Sequence, residues 1–180
     1  MNIRSLATTC LISTALFSSI AVSAAEQKSA DLYNESGETI GTVKLTDAPK
    51  GVILRIEANG LPAGWHGIHF HETGDCQHPE FKSAGGHVHH SSDELVHGLL
   101  NPEANDAGDL PNVYVNEDGS LTVELYSTYV GFDASEDRAA LMDEDGAALI
   151  IHVNPDDYSS QPIGGAGARI ACAIIKEASK

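Results

Sequence analysis

Basic residues are scarce in this chain: ten Lys plus Arg stand against 26 Asp plus Glu, for a formal net charge of −16. A protein that grips nucleic acid needs a clustered basic footprint, so nucleic acid is excluded as a partner, and anionic membrane surfaces are disfavoured for the same reason. Long apolar runs are equally scarce. The single one, Leu6 to Val22, follows Arg4 and ends in Val22-Ser23-Ala24-Ala25. A positive start, an apolar stretch and small residues at its end read as a secretory signal peptide over residues 1–24. A membrane anchor is the competing reading, but the run is short for a span and is interrupted by Ser and Thr. With that leader removed, residues 25–180 are expected to form one domain that keeps clear of the membrane. The leader takes one Arg and no acid with it, so the charge of the remainder becomes −17. Heptads, internal repeats, low-complexity tracts and any convincing long helical pattern are also missing.

Cysteine is rare. Of three, Cys10 lies in the leader, which leaves Cys76 and Cys172. Two cysteines in an exported protein suggest one disulfide, with two free buried thiols as the alternative.

What the chain does have is period-two alternation. Val52, Leu54, Ile56 and Ala58 alternate with Ile53, Arg55 and Glu57, the pattern of a strand buried on one face. Gly41 to Leu45 reads likewise. Asn116-Glu117-Asp118-Gly119 separates Val113–Val115 from Leu121–Leu125 as a hairpin turn would. A second turn, Asp143 to Gly146, leads into a strand from Ala147 to Val153, and Ala168 to Lys176 reads as the last strand. Short strands with regular turns predict an all-β sandwich or barrel. Two stretches resist this reading: residues 73–110, which carry more than half of the histidines, and the Gly-, Pro- and Ser-rich residues 154–168. Long loops in a small domain are commonly functional.

Histidine is where the chemistry concentrates. His69 and His71 flank Phe70, so on a strand both imidazoles share one face, with Cα atoms about 6–7 Å apart. Two such rings can converge on one ion at about 2 Å each. His87 follows Ser83-Ala84-Gly85-Gly86, His97 precedes Gly98, Asp109 sits in Ala107-Gly108-Asp109-Leu110, and His152 closes the apolar run from Leu149. Imidazole suits copper and zinc, and a carboxylate can complete a zinc site.

The order of five motifs resembles the copper,zinc superoxide dismutase family, in its bacterial periplasmic branch. They are Gly-Ile-His-Phe-His-Glu at 67–72, Ser-Ala-Gly-Gly-His at 83–87, Gly-Asp-Leu-Pro-Asn at 108–112, Ile-Ile-His at 150–152 and Gly-Gly-Ala-Gly-Ala-Arg-Ile-Ala-Cys at 164–172. The resemblance runs from about Gly41 to Lys176. It implies a Greek-key, eight-stranded flattened barrel or sandwich with long metal-binding and electrostatic loops. It implies copper on His69, His71, His87 and His152, and zinc on His87, His97 and Asp109, with His87 bridging the two ions. By the same resemblance Asp156 links His69 to His97, Arg169 guides the anion beside copper, and Cys76 pairs with Cys172. The implied activity is disproportionation of superoxide to dioxygen and hydrogen peroxide, with copper cycling between Cu(II) and Cu(I). His87 and Arg169 are then the catalytic pair, the compartment is the periplasm (or outside the cell), and the protein is a monomer or homodimer.

Two departures stand out. Where the family pattern has a histidine three residues before the zinc aspartate, this chain has Asp106. A site of two histidines and two aspartates is chemically possible; His89 and His90 are nearby and could substitute, but they read as solvated loop residues. The loop at 154–168 contains no Lys, so attraction of an anion must rest on Arg169, the metal and Lys82, and the rate is expected to fall somewhat below the diffusional ceiling. Other readings are a non-catalytic copper-binding protein on this fold, a copper-only dismutase suggested by Asp106, and a purely structural β-domain, which leaves the histidines unexplained. Asp106 generates the first prediction: copper is retained while zinc exchanges readily. Dialysis against a mild chelator followed by metal analysis checks it, and full zinc occupancy afterwards would count against it.

Overall fold

A computed structural model describes residues 24–90 and 95–177. All of the predicted signal peptide except Ala24 lies outside the described residues. Eleven short strands make up the regular structure, with one 3₁₀ turn at Lys82–Ala84 and no α-helix among the described residues. The strands are β1 (Gln27–Asn34), β2 (Thr39–Ala48), β3 (Gly51–Ala58), β4 (Gly64–His66), β5 (Ile68–His71), β6 (Val113–Val115), β7 (Leu121–Ser127), β8 (Val130–Gly131), β9 (Ala139–Ala140), β10 (Ala147–His152) and β11 (Arg169–Ile175).

Seven of them form one sheet in the order β5-β10-β11-β1-β2-β3-β7, antiparallel throughout. Only Gly67 separates β4 from β5, so the chain carries on from one into the other. β4 pairs with β6, and β6 turns into β7 at Asn116, whose N–H bonds Ser120 O at 2.9 Å. The β4–β6 pair thereby links the two edges of the main sheet. This curls the sheet toward a barrel. The all-β expectation and its strands are present in this arrangement. β1 carries no comparable pattern: Leu32 is its single fully buried residue, so its sequence reads as polar and its pairing with β2 and β11 is what makes it a strand.

Alternation sets the inside of the curl. On β3, Val52, Leu54, Ile56 and Ala58 are buried, whereas Ile53 is 36% exposed. They join Leu32, Val43, Ile68, Phe70, Val115, Leu149 and Ile151 in the main core. On β5 the other parity, His69 and His71, is turned away from that core yet remains buried. These two stand opposite Ile150 and Ala148 of β10.

A smaller cluster occupies that second face. Cys76, Phe81, Ala84, Ala148, Ile150 and Cys172 pack together, and Cys76 is disulfide-bonded to Cys172 across 96 residues of sequence. The bridge ties the loop after β5 to β11. Closing so long a loop restricts the unfolded chain by roughly 4–5 kcal/mol in the chain-entropy treatment, as an upper figure. Replacing both cysteines by serine is expected to lower the midpoint of thermal unfolding by about 10 °C. Calorimetry of the double variant checks this, and a shift below about 2 °C would show that the bridge is not a major stabiliser.

Candidate metal centre

The free edge of β5 is finished by loop backbone. Glu72 N–H bonds Gly86 O at 2.9 Å, Val88 N–H bonds Phe70 O at 2.9 Å, and Phe70 N–H bonds Gly108 O at 2.9 Å. The same zipper sets His87 opposite His71 and Asp109 opposite His69 as isolated bridges. Gly108 is required there, because a Cβ at that position would overlap Phe70 O. On the other side of β5, His152 N–H bonds Gly67 O at 2.8 Å. The register of β10 with β11 slips between Ile151 and His152, so Arg169 stands opposite His152. A bulge re-aims side chains in this way.

Four imidazoles meet as a result. His69, His71, His87 and His152 each offer a ring nitrogen, and these atoms lie within 4.8 Å of one another. In every ring one nitrogen is fixed by a partner and the other is free. His69 Nε2 donates to Asp156 Oδ2 at 2.8 Å, His71 Nδ1 to Gly85 O at 3.0 Å, His87 Nδ1 to Asp106 Oδ2 at 2.6 Å, and His152 Nδ1 to Gly167 O at 3.0 Å. The remaining atoms, His69 Nδ1, His71 Nε2, His87 Nε2 and His152 Nε2, are buried without a hydrogen-bond partner. Four unpartnered buried nitrogens at one place are costly unless they share a cation. The outer bonds fix each tautomer, as such bonds commonly do for metal-binding imidazole. Burial also keeps three of the rings uncharged. It holds His71 well below the usual imidazole range, pushes His152 down to about 3 with help from the neighbouring His69, and lowers His69 against the pull of Asp156.

A second group adjoins the first through His87. His87, His97, Asp106 and Asp109 also hold donor atoms within 4.8 Å of one another. Burial opposes charge here too, but the carboxylates outweigh it. The nearby carboxylates of Asp106 and Asp109 raise His87, and those of Asp106, Asp109 and Asp156 raise His97 to about 11. The Asp106 and Asp109 carboxyls are held below their usual range because His87 and His97 outweigh the upward push of burial. Asp106 thus stands beside His87 as a donor, while His89 and His90 lie outside the group: His89 Nδ1 donates to His87 O at 3.1 Å and His90 Nε2 to Ser135 O at 2.9 Å.

Asp156 couples the two groups. Its Oδ2 takes His69 Nε2 at 2.8 Å and its Oδ1 takes His97 Nε2 at 3.1 Å. Several residues that hold this arrangement carry no signal in the sequence beyond their neighbourhood. Asn112 receives Asp156 N–H at 2.8 Å and donates to Asp156 O at 2.8 Å. Gln161 receives His97 N–H at 2.9 Å and donates to His97 O at 2.8 Å. Buried His66 reaches His152 O with Nδ1 at 2.7 Å and Pro62 O with Nε2 at 2.8 Å. The motif Gly-Asp-Leu-Pro-Asn points at Asn112; nothing in sequence points at Gln161 or His66.

Arg169 donates to Phe81 O and Gly85 O, both at 2.6 Å. Gly85 O also receives His71, so the guanidinium sits beside the four-imidazole group. A cavity of about 320 Å³ opens here, lined by Glu35, Glu80, Lys82, Gly167, Ala168 and Arg169. Lys82 contacts both Glu80 oxygens at 3.0 Å, so its charge is largely spent on its neighbour. Two acids and two bases line the mouth, which leaves Arg169 as the buried-side cation.

Gly164 makes Asp156 possible. Its φ of +59° is a left-handed conformation, and a Cβ there would overlap Asp156 Oδ1. Gly164→Ala is expected to cost about 1–2 kcal/mol from the backbone alone and, by displacing Asp156, to speed metal loss to a chelator several-fold. Gly165 has φ +71° with nothing within 4 Å of its would-be Cβ, so Gly165→Ala carries the backbone cost alone. Equal metal-loss rates in the two variants would rule out the Asp156 contact as the cause.

Residues 39–175 match the family model described as copper/zinc superoxide dismutase. A superoxide dismutase [Cu-Zn] of Caulobacter vibrioides is 55% identical over 140 residues, covering 78% of this chain and 80% of the relative. A superoxide dismutase [Cu-Zn] of Aquifex aeolicus is 43% identical over 148 residues, covering 82% and 85%. Among solved structures, a SOD-like protein from Bacillus subtilis superposes with a TM-score of 0.74 at 36% identity, covering 82% of this chain and 97% of that one.

Proposed function

The chain belongs to the copper/zinc superoxide dismutase family, and from that premise we propose that it disproportionates superoxide with copper on His69, His71, His87 and His152 and zinc on His87, His97, Asp106 and Asp109. The observation that carries the copper assignment is the set of four buried, unpartnered ring nitrogens whose opposite nitrogens are all occupied. Neutral imidazole suits copper and zinc, and the carboxylates on the far side of His87 suit zinc.

The overall reaction converts two superoxide anions and two protons to dioxygen and hydrogen peroxide. Copper, when bound, supplies the one-electron couple; zinc supplies none. The protein's own groups do the rest. Arg169, held by Phe81 O and Gly85 O, offers positive charge beside the four rings and draws in a small anion. His87 presents Nε2 to the imidazole group and Nδ1 to the carboxylates, so Nε2 is the atom suited to take a proton and hand it to a reduced oxygen species. Asp156 keeps His69 and His97 in one orientation throughout. The near balance of acids and bases at the mouth favours turnover below the diffusional ceiling.

A periplasmic location is supported by the leader-like N-terminus, by the disulfide and by bacterial relatives. Three oriented donors besides His87 in the second group favour a two-metal enzyme over the copper-only reading. Metal analysis alongside a superoxide decay assay tests the assignment. His152→Ala is expected to abolish dismutation and reduce bound copper, and wild-type activity in that variant would remove the copper assignment.

A further inference from the structure

Asp106 and Asp109 are built as matching donors. Asp106 Oδ1 takes Gly108 N–H at 2.9 Å, and Asp109 Oδ2 takes Gly98 N–H at 2.8 Å. Each carboxylate therefore turns its other oxygen inward. Asp109 Oδ1 and His97 Nδ1 are 2.7 Å apart, both buried, and neither satisfies the other as a hydrogen-bond partner. Two polar atoms so close and so directed share a target between them.

The same two residues, although buried, also border a pocket. Asp106 and Asp109 line a cavity of about 280 Å³ together with His90, Asn101, Tyr129 and Asp137. None of His69, His71 and His152 lines it, so an ion can approach the second site without passing the four-imidazole group. The added acid, Asp137, makes this approach attractive to cations.

Ligand type governs which cation stays. Imidazole favours zinc strongly over manganese(II), whereas carboxylate oxygen suits manganese(II), and the ordinary affinity order places manganese(II) lowest. Exchanging one imidazole for a carboxylate narrows that gap. We propose that Asp106 sets the ion selectivity of the second site: with two carboxylates and an acid-lined opening of its own, the site takes manganese(II) as well as zinc and exchanges it with the surroundings independently of copper. This rests on the reading of His87, His97, Asp106 and Asp109 as a metal site.

The test uses copper-loaded mature protein with the second site emptied by a mild chelator. Manganese(II) is titrated by the electron paramagnetic resonance signal of the free ion, and zinc is then added as competitor. One manganese(II) per chain, displaced by zinc, is expected. Asp106→His is expected to shift the manganese-to-zinc affinity ratio toward zinc by about tenfold or more, and Asp137→Lys to slow manganese(II) uptake several-fold at low ionic strength without changing the final amount bound. An unchanged ratio in Asp106→His overturns the selectivity inference while leaving the site standing. Equal uptake rates in Asp137→Lys overturn the route. Failure of either ion to bind the wild-type protein overturns the metal site itself.

Discussion

The edge of β5 is the constraint on which the centre depends. A strand four residues long carries two of the imidazoles, and its unpaired backbone groups would be exposed if nothing covered them. Loop backbone at Gly86, Val88 and Gly108 covers them with hydrogen bonds to Glu72 and Phe70. Because backbone pairing has a register, the loop arrives in one alignment only, with His87 against His71 and Asp109 against His69. The satisfaction of sheet hydrogen bonds and the placement of metal donors are therefore a single event.

Everything outside that edge serves to keep the alignment from slipping. The disulfide fastens the loop to β11. Arg169 fastens Phe81 and Gly85 to the same strand through its guanidinium. Asp156 draws the second loop in, clamping His69 to His97, and is itself gripped by Asn112. A buried polar network of this kind is stable when each member is satisfied. Here the buried side-chain nitrogen and oxygen atoms that lack a partner fall, among the described residues, at the two donor clusters. The deficit is thus concentrated where a cation would remove it.

The two clusters differ in electrical character although they share His87. Burial leaves His69, His71 and His152 neutral, so their lone pairs are available without proton loss. The second group is a mixture of carboxylates and imidazoles raised by those carboxylates. Asp106 deepens the contrast. One side is a neutral nitrogen cage and the other a mixed nitrogen and carboxylate cage, with one ring between them.

By itself the sequence determined the strands with strong alternation, such as β3, and the identities of the residues able to hold metals. Alternation is a local consequence of a pleated backbone with one buried face, so it is written residue by residue. The resemblance of its motifs to a known family extended this to roles for His87, Asp156 and Arg169. Only the tertiary structure decided that β1 is a strand, because its polar residues pair by backbone bonds that leave little trace in side chains. It also decided that Asp106 rather than His89 or His90 joins the second group, and that Gln161 and His66 hold the histidines in place. Those are contacts across tens of residues, set by how loops close on a sheet edge, and no spacing within one segment encodes them.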